Sequence, residues 1–248
     1  CKAAFSAKRP SQHLMQSVRW LGRGAAAFPR CALVLLGLSV PGARASCLCV
    51  FDIDRTLTGK QSDLKHCPFN SIQQGAHDSA YGGGTLTLSA VASQMDRTFC
   101  QKCYMSIISA GEGGGAHSLE RRILHSKLSD NPCFKWLTKD WQPSGCNPYH
   151  ITGPLITGCR DGHKQDAIPG VIEFYRKYTG ANIPDAEVYF FDDREINILP
   201  FRHLHYNAHQ VSCGHRDLGG GVGLCGATLS EIRNRGGVSL CEETPHIV

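Results

Sequence analysis

Residues 46–248 read as an α/β domain built on a parallel sheet, and three observations point that way. Short, continuous apolar runs recur at Cys47–Phe51, Tyr104–Ile108 and Val188–Phe191, as in strands buried on both faces. Segments with helical spacing fall between them. Polar residues gather just after the runs: Asp52 and Asp54, then Ser109, then Asp192 and Asp193. Strands alternating with helices predict a three-layer α/β/α, doubly wound parallel sheet. In such sheets ligands lie beyond the carboxyl ends of the strands.

In chain order, Cys47 to Phe51 is the first predicted strand. Residues 59–84 are polar and punctuated, with Gly82, Gly83 and Gly84 at the end, and read as a loop or small flap. Thr85 to Met95 has helical spacing through Leu86, Leu88, Val91 and Met95. Tyr104 to Ile108 is the second strand. A glycine-rich loop, 111–115, precedes a helix from Ser118 to Leu128, with Ser118 as its N-cap. Residues 129–150, with Trp136 and Trp141, read as an irregular excursion, and Pro154 to Thr157 as a third strand. Lys164 to Tyr178 is helical, with Ile168, Val171, Ile172 and Tyr175 on one face and Pro169 near its first turns. Val188 to Phe191 is a fourth strand. A helical Ile196–Phe201, a strand near Gln210–Ser212 and a helix starting near Thr228 complete the pattern.

The composition, 42% apolar and 19% charged, is that of a globular protein. Residues 1–46 hold seven basic side chains and no acid; removing those seven from the net +5 leaves −2 for residues 47–248. The basic balance thus belongs to a leader, and the body lacks the basic, aromatic-laced patches of a nucleic-acid binder. That leader, 1–45, reads as a signal peptide: a positive stretch, the apolar run Cys31–Val40, and an Ala43-Arg44-Ala45 cleavage signature, with Met15 as a sensible start. A transit peptide or a buried helix are the alternatives. The apolar run is far short of the roughly 20 residues a bilayer needs, so no stable membrane insertion is expected.

Thirteen cysteines, eleven of them after the proposed cut, fit an oxidising, secretory compartment. Cys100-Gln101-Lys102-Cys103 has no second CxxC at a zinc-like interval, which favours a disulfide over a metal. Cys47 and Cys49, in a buried strand, are expected to be the free thiols. The histidines 203, 205, 209 and 215 are more cheaply explained as surface or partly buried side chains than as a zinc site. No glycine run matches a nucleotide phosphate loop.

The polar residues after the strands carry chemistry. Asp52 is placed to attack phosphorus as a nucleophile, and Asp54 to protonate a leaving oxygen and then activate water. Asp52, Asp192 and Asp193 would repel one another without a hard cation such as Mg²⁺. Ser109 and Lys164 suit the equatorial phosphoryl oxygens. In order and spacing, Asp52-x-Asp54-x-Thr56-Leu57-Thr58, Ser109, Lys164 and Asp192-Asp193-x-x-x-Asn197 resemble the four motifs of the haloacid-dehalogenase superfamily.

The likeness covers about residues 46–200. It implies a Mg²⁺-dependent phosphatase with little or no cap domain, acting through an aspartyl-phosphate on Asp52 with Asp54 as general acid/base. By the same resemblance Asp52, Asp54, Asp192 and Asp193 hold the metal, Asp54 through its backbone carbonyl, and Asn197 orients the last loop. An acid at position 54 goes with phosphatases and phosphotransferases in that superfamily rather than with dehalogenases. Arg55, Ser109 and Asp192 depart from its commonest residues without removing a reactive group. With so little chain between the motifs, an open site for a phosphorylated substrate is expected. The rival readings are a non-catalytic secreted protein whose acidic cluster binds a cation, and a phosphotransferase.

Overall fold

The computed structural model describes residues 47–129, 140–143 and 145–242. The leader and its cleavage signature, Cys133 and Trp136 lie outside the described residues. The strands are β1 (Leu48–Phe51), β2 (Ser71–Asp78), β3 (Gly84–Leu88), β4 (Tyr104–Ile108), β5 (Leu155–Ile156), β6 (Val188–Asp192), β7 (Asn207–Gln210), β8 (Arg216–Asp217), β9 (Val222–Gly223) and β10 (Val238–Ser239). The α-helices are α1 (Ala90–Ser93), α2 (Leu119–Ser129), α3 (Ile168–Thr179) and α4 (Glu195–Ile198). Six strands form one sheet in the order β10-β7-β6-β1-β4-β5, every pair parallel.

Successive residues of β1 face opposite sides of the sheet, and both sides are covered. Leu48 and Val50 enter one core with Ile168, Val171, Phe174 and Tyr175 of the α3 segment. Cys49 and Phe51 enter another with Leu124 and Leu128 of α2. This double burial is why β1 reads as an unbroken apolar run. The α3 helix begins just before Pro169, which needs no hydrogen bond there, and ends on Gly180 in the left-handed region at φ 68.

Two segments differ from the expected elements. Thr85–Met95 is not one helix: residues 84–88 are strand β3, and only Ala90–Ser93 is α-helical. Leu86 and Leu88 are two apart, a strand period, and Ser89 then caps α1 by accepting a hydrogen bond from the Ala92 N–H at 3.2 Å. Nor does a helix follow Thr228. The Glu231 carboxylate does accept from Thr228 N at 2.8 Å, but Asn234 is held by the Tyr189 hydroxyl at 2.6 Å and the chain runs on into β10. The cap forms and nothing propagates it.

The expectation for Cys47 and Cys49 is overturned: both are in disulfides. Cys47 pairs with Cys103 and Cys49 with Cys100. Cys49 lies in β1 and Cys47 just before it, while Cys100 lies in the 3₁₀ turn Phe99–Lys102 and Cys103 is the extended residue that ends it. The start of β1 is thus linked twice to the segment just before β4. Cys67–Cys225, Cys146–Cys159 and Cys213–Cys241 are also bonded. Such a density of disulfides is compatible with a secretory or extracellular location.

Residues 59–84 carry more structure than a loop. β2 and β3 form an antiparallel hairpin, with a register shift between Ile72 and His77. Beside the turn after β1 runs a strap, residues 222–227. Its backbone bonds to that turn through Lys60 N to Leu224 O at 2.7 Å and Ala227 N to Thr56 O at 2.8 Å. Cys67–Cys225 fastens the strap covalently. Among the described residues no helix is long and apolar enough to cross a membrane.

Candidate functional site

The chain leaves β1 for β4 and β5 on one side and returns to β6 on the other, so β1 and β6 flank the point where strand order reverses. A crevice forms at such a point, beyond the carboxyl ends. The parallel register puts Phe51 beside Phe191, and Asp52 N donates to Phe191 O at 3.0 Å. Asp52 and Asp192, each following those phenylalanines, thus come side by side. After Asp52 the chain turns sharply through Arg55, whose φ of 61 lies in the left-handed region. Thr58 stabilises this turn: its hydroxyl donates to Ile53 O and accepts from Arg55 N, both at 3.2 Å.

Lys164 joins the two aspartates. Its Nζ is 2.8 Å from Asp52 Oδ1 and 2.6 Å from Asp192 Oδ2. Asn197 donates to the Asp192 carboxylate at 2.9 and 3.0 Å and to Asp161 at 3.0 Å, and its own carbonyl oxygen accepts from Gly162 N at 2.8 Å. Asn197 therefore ties the loop before Lys164 to the end of β6. Asp193 accepts from Gly223 N of the strap at 2.6 Å, and its backbone carbonyl accepts from Arg216 and Gln210.

Asp52, Asp192 and Asp193 present oxygens within 4.8 Å of one another, all three side chains being buried. Burial pushes the Asp52 carboxyl well above its usual range, against the pull of Lys164. Burial, then Asp192, raises Asp193 to about 7. Lys164 is itself fully buried, which opposes its charge, yet Asp192 and Asp52 outweigh burial and hold it firmly protonated. Among the described residues, Asp193 Oδ1 and the Ser109 hydroxyl are buried with no hydrogen-bond partner. A hard-oxygen set with an unsatisfied carboxylate oxygen fits a cation such as Mg²⁺.

Asp54 sits apart from that trio. Its carboxylate joins Asp78 of β2 and Glu120 of α2, with oxygens within 4.8 Å of one another. Burial, then Asp78, raises Asp54 to about 6. A Cβ on Gly111 would lie 3.0 Å from Asp54 Oδ2 and 3.9 Å from Ser109 Oγ, so Ser109 and Asp54 border the same spot.

The expected openness is not what the side chains show, since Asp52 is 4% exposed and Asp192, Asp193 and Lys164 are 0%. The strap reaches Asp193 through Gly223 N, and hairpin and strap both meet Arg55 beside it. Arg55 donates to Leu224 O at 3.2 Å, pairs with Asp217 at 3.3 Å, and lies 5.1 Å from the Tyr81 ring at the hairpin tip.

Sequence reasoning did not single out Asp78, Tyr81, Glu120 or Asp161. Asp161 alone left a signal, three residues before Lys164; the others depend on how the hairpin folds back. Two clefts, about 820 and 540 Å³, are lined by other residues, the first by Cys146, Arg160 and Tyr206, the second by Phe69, His215 and Thr228. Neither cleft includes the carboxylates. No protein-family model and no curated protein matches this chain.

Proposed function

We propose that this protein hydrolyses phosphomonoesters, with Asp52 as nucleophile and Asp54 as general acid/base. The observation that carries the reading is Lys164, buried and 2.8 Å from Asp52 with Asp192 on its other side at 2.6 Å. A buried lysine clamped between carboxylates at a sheet switch point is a costly arrangement for structure alone, since well-packed apolar residues in place of all three charges would serve stability as well. The motif likeness to the haloacid-dehalogenase superfamily supports the same reading.

Asp52, Asp192 and Asp193 would hold Mg²⁺, which neutralises charge on the transferring phosphoryl group when bound. A carboxylate oxygen of Asp52 attacks phosphorus; the bond from phosphorus to the ester oxygen breaks. Asp54 gives its proton to the departing alkoxide. Water then attacks the aspartyl-phosphate, its proton passing to Asp54, and phosphate leaves with Asp52 restored. Ser109 and Lys164 bind the equatorial oxygens.

Assay of the full chain with an aryl phosphate and Mg²⁺, beside Asp52→Asn, tests this. Hydrolysis should fall by roughly 10³-fold or more in the variant, as for loss of a nucleophile. Equal rates in parent and variant, or none in either, would return the protein to a cation-binding role.

A further inference from the structure

Asp54, Asp78 and Glu120 form a carboxylate cluster distinct from the Asp52, Asp192 and Asp193 trio. The elements that bring its members together are separate in sequence: the turn after β1, the end of the β2–β3 hairpin, and the first turn of α2. Asp78 is anchored by neutral donors, Ala80 N to its Oδ1 at 2.8 Å and Gln61 Nε2 to its Oδ2 at 2.9 Å. Those bonds orient it without neutralising it. Asp54 is the member with exposed surface, and so gives the cluster its outlet.

Glu120 is the second, independent observation. It is 1% exposed, and among the described residues neither of its carboxylate oxygens has a hydrogen-bond partner. Its place in the first turn of α2 does not satisfy it, for no backbone N–H reaches either oxygen. Two unsatisfied oxygens on one buried carboxylate are rare enough to need an explanation. The glycine loop between β4 and α2 closes in on the same oxygens. A Cβ on Gly114 would stand 2.8 Å from Glu120 Oε2, and one on Gly111 3.0 Å from Asp54 Oδ2. Side chains are excluded there, and the space beside the oxygens suits something small.

We propose that Asp54, Asp78 and Glu120 hold a hard divalent cation of their own, Ca²⁺ or one like it, beside the phosphoryl site. Two metal–oxygen bonds of about 2.4 Å span up to about 4.8 Å, which the cluster's oxygens do not exceed. Three carboxylates with no nitrogen or sulfur ligand favour such an ion over zinc or copper. An organic ammonium is too large for oxygens enclosed this tightly. The site shares Asp54 with the phosphatase reading, and an ion bound there would hold Asp54 deprotonated and suppress its acid role; the observations behind the site involve neither Asp52 nor Lys164.

Calorimetric titration of the metal-free full chain with Ca²⁺ tests it, on the parent, Glu120→Gln and Asp193→Asn. The parent should show two classes of Ca²⁺ site. Glu120→Gln should lose one class, weakened at least about tenfold, and keep the other; Asp193→Asn should lose the class that Glu120→Gln keeps. A parent that binds through only the class removed by Asp193→Asn overturns the proposal, as does binding untouched by Glu120→Gln. A parent with only the class removed by Glu120→Gln upholds it and instead removes the cation from the Asp52 trio. If Glu120→Gln does not fold, Asp78→Asn gives the same reading: its amide oxygen still accepts from Ala80 N, and Gln61 can turn its own amide oxygen to the new NH₂ at the loss of its bond to Ala80 O.

Discussion

Lys164 is the side chain on which most of the buried charge turns. Replaced by methionine, it leaves Asp52 and Asp192 facing each other with no cation between them. In chelator, Lys164→Met should lose about 3–5 kcal/mol of stability by urea unfolding, the usual effect of orphaning a buried charge. Glu120 gives a different signature. Its pKa is about 8 in the fold against an ordinary 4.5, burial being the main cause, then Asp78 and Asp54. Below 4.5 the folded and unfolded chains both carry the proton. From there to about 8 only the folded chain keeps it, so stability falls as pH rises through that window, and levels off above. Unfolding curves across it, in chelator, should be steeper in pH for the parent than for Glu120→Gln. Parallel curves would show that Glu120 does not bear the charge. Asp52 and the pair Asp192-Asp193 could be picked from sequence because each follows a buried apolar run. Asp78 and Glu120 could not, because their meeting depends on where a hairpin with an irregular register places its end.

At the scale of elements, the strap and the turn after β1 fit too closely to admit another atom. A Cβ on Gly226, whose φ is 75, would lie 2.3 Å from Thr58 O and 2.6 Å from Ser89 Cβ. Gly75 has a φ of 77 with nothing near. Gly226→Ala should therefore cost roughly 2–4 kcal/mol and Gly75→Ala about 1, by thermal or urea unfolding. Similar losses would mean that the strap gives way. Strands β1, β4 and β6 were legible, being runs with apolar residues for both faces; β7, at Asn207–Gln210, and β10, at Val238–Ser239, lack such a run. The Thr85–Met95 segment was not, because Leu88, Val91 and Met95 keep helical intervals while Leu86 and Leu88 keep a strand's. The segment after Thr228 carries a real capping pair, and only Asn234's distant partner Tyr189 shows why no helix follows it.

For the molecule as a whole, the cysteine count pointed to disulfides, but the count could not pair them. Cys47 and Cys49 read as core hydrophobes because their strand is buried; that the 3₁₀ turn holding Cys100, and Cys103 just after it, pack beside them is a tertiary fact. The links divide the chain unequally. Both ends of Cys47–Cys103 and Cys49–Cys100 precede residue 104, and both ends of Cys146–Cys159 and Cys213–Cys241 follow residue 145. Among the described residues, Cys67–Cys225 is the one tie between those halves. A protease that cuts once between 104 and 145 would thus leave the described parts of the two fragments joined by that bond. They should migrate together on a non-reducing gel and separate once reductant is added, whereas in Cys67→Ser/Cys225→Ser they should separate without it. A chain nicked there would keep its halves within reach of each other, able to close the sheet again after unfolding, for as long as Cys67–Cys225 stayed oxidised.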